Sequence, residues 1–128
     1  RISSIGNNLA IAWFSMKDKT GEVKIVFSKD GGETFGNAIY IDKGKPIGRV
    51  GVVMLDSATA MVSWMEGADI KAVKVHGDGA KEKSIMIASS SDKRSSGFPQ
   101  ITKSGNRIIF AWTDDKAKTI RLAHISAR

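Results

Sequence analysis

The sequence predicts an all-β protein assembled from repeated four-stranded antiparallel units, and three observations carry that reading. Short runs of alternating apolar and polar residues recur, rich in β-branched side chains and separated by Gly, Asp, Asn and Lys. Helical periodicity is almost absent. The quartets Ala10-Ile11-Ala12-Trp13, Met61-Val62-Ser63-Trp64 and Ile109-Phe110-Ala111-Trp112 align, with their tryptophans 51 and 48 residues apart. A period of about 50 residues with four strands in each is that of β-propeller blades. An eleven-stranded sandwich would hold the same strands, but gives no reason for a tryptophan to close the second strand of every unit.

In order along the chain, the first unit places strands over Ile2 to Ile5, Leu9 to Ser15, Val23 to Phe27 and Ala38 to Ile41. The second unit repeats them over Arg49 to Leu55, Thr59 to Trp64, Ile70 to Val75 and Ser84 to Ala88. The third has Pro99 to Thr102, Arg107 to Thr113 and Thr119 to Ile125, with no fourth strand. The repeat divides the chain into segments 1–45, 46–93 and 94–128 of one propeller domain. Three strands leave a hydrogen-bonding edge, and the free faces of the first and last units leave apolar surface. Further blades, from a preceding segment or another chain, are therefore expected partners.

Composition supports a packed domain. The 128 residues are 41% hydrophobic and include three Trp and five Phe, which excludes a disordered tail. No apolar run approaches the ~20 residues of a membrane span. The absence of cysteine excludes a disulfide scaffold, a thiolate zinc site and a cysteine nucleophile. The formal charge of +7 resides mostly in residues 93 to 128, which hold eight basic and two acidic side chains. Those bases are scattered rather than clustered, which argues for a solvated basic surface and against nucleic-acid binding.

Between the third and fourth strands of the first unit lies Ser28-Lys29-Asp30-Gly31-Gly32-Glu33-Thr34-Phe35. Asp30 can accept hydrogen bonds from the turn, Gly31 and Gly32 permit positive φ, Ser28 and Thr34 can tie the strand ends, and Phe35 can anchor the turn between sheets. The segment resembles the Asp-box of the sialidase-like β-propeller proteins, with Phe35 in place of the usual Trp. The second unit keeps only Asp78-Gly79. Leu9 to Phe35, Pro46-Ile47-Gly48-Arg49-Val50, and Ser96-Gly97-Phe98-Pro99 through Trp112 extend the likeness to the C-terminal part of bacterial sialidase-like repeat proteins. The resemblance implies a six-bladed ring, of which this chain would be the last two and three-quarter blades, and export to the periplasm, cell surface or medium. One fold hosts many functions, so it implies the fold more strongly than an activity.

Strand order puts the turns after the second strands and the crossovers between units on one rim, and the Asp-box on the other. The crossovers carry Arg49 and Arg94, and Arg1 continues the pattern. Sialidases hold a substrate carboxylate with three arginines, so the resemblance makes Arg1, Arg49 and Arg94 candidate ligands for an anionic group, suited to planar bidentate recognition. Surface or inter-blade pairing with Asp42 or Asp92 is the competing role. The same chemistry needs a tyrosine, a glutamate and an aspartate. Tyr40 is the sole tyrosine and reads as a packing residue of an outer strand. Asp114-Asp115, Glu66 and Asp69 sit on turns of the appropriate rim but read as turn residues, so no catalytic set can be assembled. His76 and His124 share the repeat position of Ser28 and lack a spaced third ligand, so no metal or other cofactor is expected. The tryptophans read as packing residues, with a sugar-stacking role only for one that is exposed. The expectation is a propeller segment that binds a glycan or other anionic ligand at its arginine rim. The alternatives are a glycoside hydrolase whose catalytic groups lie upstream, and a scaffold for protein partners.

Overall fold

In a computed structural model, which describes residues 1–91, 93 and 97–128, the alternating runs form eleven strands and no helix among those residues. The first sheet is β1 (Ile2–Ile5), β2 (Asn8–Lys17), β3 (Thr20–Ser28) and β4 (Ile39–Gly44). The second is β5 (Pro46–Asp56), β6 (Thr59–Glu66), β7 (Asp69–His76) and β8 (Ile85–Ser89), and the third is β9 (Gln100–Ser104), β10 (Arg107–Asp114) and β11 (Thr119–Ser126). Every sheet is an antiparallel meander in sequence order. All eleven strands lie where the sequence places them, differing at their ends. β2 and β3 run on to a two-residue turn in which Asp18 and Lys19 both have positive φ, 49° and 66°, a hairpin geometry that matches strand twist. β5 begins three residues before Arg49, because Pro46 and Gly48 pair with Glu66 and Met65 across irregular register.

The second sheet is the middle layer. On one face Val50, Val52, Met54, Ala60, Val62 and Trp64 join Val73 and Val75 in packing against Ala10, Ala12, Val23 and Ile25 of the first sheet. On its other face Val53, Leu55, Met61, Ala72 and Ile87 meet Ile101, Ile108, Phe110, Trp112 and Ile125 of the third. Side chains along a strand alternate between faces, so each strand of this sheet feeds two cores. β6 is the extreme case, buried from Thr59 through Met65.

The first strand of the second sheet, β5, makes the main approach to both neighbouring sheets. β5 contacts β1, β2 and β3 on one side and β9 on the other, and the Met54 amide donates to Ser3 Oγ at 2.8 Å. A Cβ at Gly51 would lie 2.7 Å from Ser63 Oγ and 2.8 Å from Ile101 Cγ2, so only glycine fits there. Toward the outer strands the layers part around small clefts, one lined by Ile41, Asp42, Trp64 and Lys81 and another by Met61, Lys83 and Ile125. Polar bonds cross this region, among them Trp64 Nε1 to Asp42 Oδ2 at 2.9 Å, Lys81 Nζ to the Tyr40 carbonyl at 2.7 Å and Lys74 Nζ to the Ala127 carbonyl at 3.5 Å.

Each tryptophan faces a cation directly across its hairpin: Trp13 faces Lys24, Trp64 faces Lys71 and Trp112 faces Arg121. Each cation in turn holds an acid, Glu22 at 3.1 Å, Glu66 at 2.7 Å and Asp114 at 2.6 Å. Glu22 is 1% exposed, and its pairing with Lys24 is one of charge, without an aligned hydrogen bond to Oε2.

Candidate functional site

A backbone irregularity builds the rim. β5 loses register between Pro46 and Gly51, and within that stretch Gly48 has φ 97° and Arg49 φ 56°. An arginine in the left-handed region is uncommon, and bulges of this kind re-aim a side chain out of the sheet's alternation. The glycine is required: a Cβ at Gly48 would lie 3.0 Å from the Phe14 ring, and one at Gly21 would lie 2.5 Å from the Pro46 carbonyl oxygen. Phe14 therefore seats between two glycine backbones. Arg49 Nη1 donates to the Gly97 carbonyl at 3.3 Å and approaches Met65 Sδ at 3.7 Å. Arg49 thus lies near the entry of β5, three residues after its start at Pro46.

Arg1 reaches the same place from another sheet. Its main-chain nitrogen donates to the Ala12 carbonyl at 2.8 Å, the Ala12 amide returns a bond at 3.0 Å, and its guanidinium lies 5.5 Å from the centre of the Phe98 ring. A cavity of about 620 Å³ opens between Arg1 and Arg49, walled by Trp13, Phe14, Ile47 and Phe98. Its described lining holds two guanidinium groups and no carboxylate. Such a site favours a compact anion, with an apolar wall for the remainder of the ligand. The third candidate, Arg94, lies outside the described residues, as does Asp92.

The repeat placed Arg1 and Arg49 on one rim, and both line this cavity; of its aromatic walls the sequence named only Trp13, as a stacking residue if exposed. Phe98 follows Gly97, whose φ of 67° turns the chain into β9, but a lone aromatic after glycine carries no distinctive signal. Trp13 is half-buried and lines the cavity, whereas Trp64 is 3% exposed.

Other candidates serve the framework. Asp69 accepts from the Ser89 hydroxyl. Glu66 holds Lys71 at 2.7 Å and keeps that ammonium above its ordinary pKa, chiefly through their hydrogen bond. Asp114 takes Arg121 at 2.6 Å and the amides of Lys116 and Ala117 at 3.1 Å, so its carboxyl is held below the usual range, first by the Arg121 bond. Tyr40 lies 5.3 Å from Lys24 and 5.6 Å from Lys43, measured from its ring centre, and does not line the arginine cavity. By strand pairing the equivalents of Ser28 are Val75 and Ile125, so His76 and His124 stand one place away from their expected position. Hairpins of unequal length cause the slip. Among the described residues no group of three His, Asp or Glu could hold a metal, and no helix is long and apolar enough to cross a membrane.

At the opposite end of the sheet the 28–35 turn is held by its own hydrogen bonds. Ser28 Oγ donates to Asp30 Oδ1 at 2.8 Å and accepts from the Gly32 amide at 2.9 Å. Asp30 accepts the Thr34 amide at 2.9 Å and the Thr34 hydroxyl at 2.5 Å. Gly31 and Gly32 take φ of 73° and 94°. Phe35 lines a cleft between this turn and turns of the second sheet. It is 42% exposed, and Phe27 packs against the core.

Compared with family models the chain matches none, and no curated protein matches it.

Proposed function

We propose that the three sheets are an arc of a sialidase-like Asp-box β-propeller and that the cavity between Arg1 and Arg49 binds the anionic group of a glycan. One observation carries the functional part: two arginines 48 residues apart, one repeat, line a single cavity beside aromatic side chains. Paired guanidiniums against an aromatic wall suit a carboxylate attached to an apolar-edged ring. Three further features support the arc. The meanders follow one another in order, the first strand of the second sheet meets both neighbouring sheets, and the first and last faces leave apolar side chains open, with Ile2 62%, Ile120 64% and Leu122 69% exposed. The repeat equivalents of Ile11 and Trp13 are Val62 and Trp64, which are buried under a neighbouring sheet. Further sheets of the same repeat are the natural cover for these faces. The glycan reading places the protein among exported, surface-facing molecules, an assignment that rests on the resemblance alone.

The test is a calorimetric titration with N-acetylneuraminic acid and with a neutral galactoside of similar size. The expected result is binding of the acid alone, weakened about tenfold or more by Arg49→Ala and again by Arg1→Ala, a step of about 1.4 kcal/mol per decade. Equal affinity in the double variant would overturn the site. A fluorogenic sialoside offered in parallel separates binding from hydrolysis.

A further inference from the structure

We propose a second ligand site on the Asp-box rim, which takes the ring of a neutral sugar. Between the β3–β4 turn of the first sheet and the β5–β6 and β7–β8 turns of the second runs a cleft of about 710 Å³. It continues into a smaller hollow of about 220 Å³ that adds Asn37 and Gly79 to the walls. Both volumes lie at the far end of the sheets from the arginines, and none of the lining residues is shared with the first cavity.

The cleft is built from rigid parts. The Asp30 network holds one wall, and the Gly36 amide closes it on the Phe27 carbonyl at 3.0 Å. The other wall is pinned by the Gly77 amide on the Ala58 carbonyl at 2.8 Å. His76 is fixed there from two sides, by Thr59 Oγ1 at 3.3 Å and Glu82 Oε2 at 3.0 Å, while its side chain stays 38% exposed. Preformed walls lower the ordering cost of a small ligand.

The chemistry points to an uncharged, hydroxyl-rich molecule with one apolar face. Phe35 offers an aromatic face at the mouth of the cleft, with 42% of its surface open to solvent. Pyranose rings present axial C–H groups that pack on such a face, while their hydroxyls need directional partners around the rim. Ser57, Asp78 and, in the extension, Asn37 bring hydroxyl, carboxylate and amide groups to those positions. Lys29 offsets Asp78 and His76 already faces Glu82, so the cleft carries no excess charge for an anion. The arginine cavity shows the reverse balance.

The experiment is an amide-shift NMR titration of the whole chain with maltotriose, cellotriose and methyl β-galactopyranoside at concentrations on the order of 10 mM, the range of weak sugar binding. Shifts confined to 29–36, 57–59 and 76–79 are expected for at least one probe. Phe35→Ala should weaken that probe about tenfold, Phe35→Trp, with a larger face, should tighten it, and Arg49→Ala should leave it unchanged. No shifts in those segments with any probe, or an affinity in Phe35→Ala equal to the parent's, would overturn the site. Should Phe35→Ala lose its dispersed spectrum, Phe35→Trp and Asn37→Ala carry the comparison, and unchanged affinity in both would overturn it equally. Failure here leaves the arginine cavity untouched, since its test uses other variants and an acidic probe.

Discussion

Asp30 shows how much one carboxylate can organise. It receives Thr34 twice and Ser28 once, and these bonds hold its pKa at about 2 against an ordinary 3.8, the Thr34 hydroxyl contributing most. Because the folded value is the lower one, the ionised carboxylate's contribution is complete above pH 3.8 and fades as pH falls from there toward about 2. The Thr34 amide resonance should therefore hold its position to below pH 4 and move with a midpoint near 2, and Asp30→Asn should remove that transition. A midpoint near 4 would show the network to be absent in solution. This motif was readable from sequence because each of its hydrogen bonds spans no more than four residues. Arg49 was readable only as a position. Its aim depends on how β5 registers against β6, a pairing with residues 16 positions away whose irregularity no local pattern announces. The aromatic walls were hidden for the same reason, since Phe14 and Phe98 meet the arginines only after three sheets have stacked.

At the level of strands the sequence was nearly transparent, because alternation and tryptophan spacing are properties of single segments. What it concealed was the matching of strand to strand. The cation opposite each tryptophan falls 11, 7 and 9 residues after it, so unequal hairpins disguise a pairing that the registers make uniform. The same slip moved His76 and His124 by one place. Close approach of strands is likewise set by tertiary fit. Gly51→Ala would drive a methyl group into Ser63 Oγ and Ile101 at contacts below 3.0 Å, and should destabilise the fold by about 1–3 kcal/mol in chemical denaturation. A neutral outcome would mean that β5 and β9 are not held so close.

For the molecule as a whole, the order of burial follows the order of layers. The second sheet is covered on both faces, while the outward faces of the first and third carry half-buried and exposed residues. Amides in well-covered strands open only with the whole structure, whereas those at exposed edges open locally. Hydrogen exchange should accordingly be slowest in β6 and fastest along β11, whose far edge pairs with no strand among the described residues. Uniform protection across all three sheets would contradict this order.

The three tryptophans have one more consequence. Each sheet carries a single indole, and the three differ in surroundings: Trp64 is buried and donates to a carboxylate, Trp112 is half-buried at the second interface, and Trp13 lies half-buried beside the arginines. The chain thus contains three fluorophores, one to a layer, each with its own polarity and quenching neighbours. Of the three indoles, the one that lines the arginine cavity belongs to the first sheet.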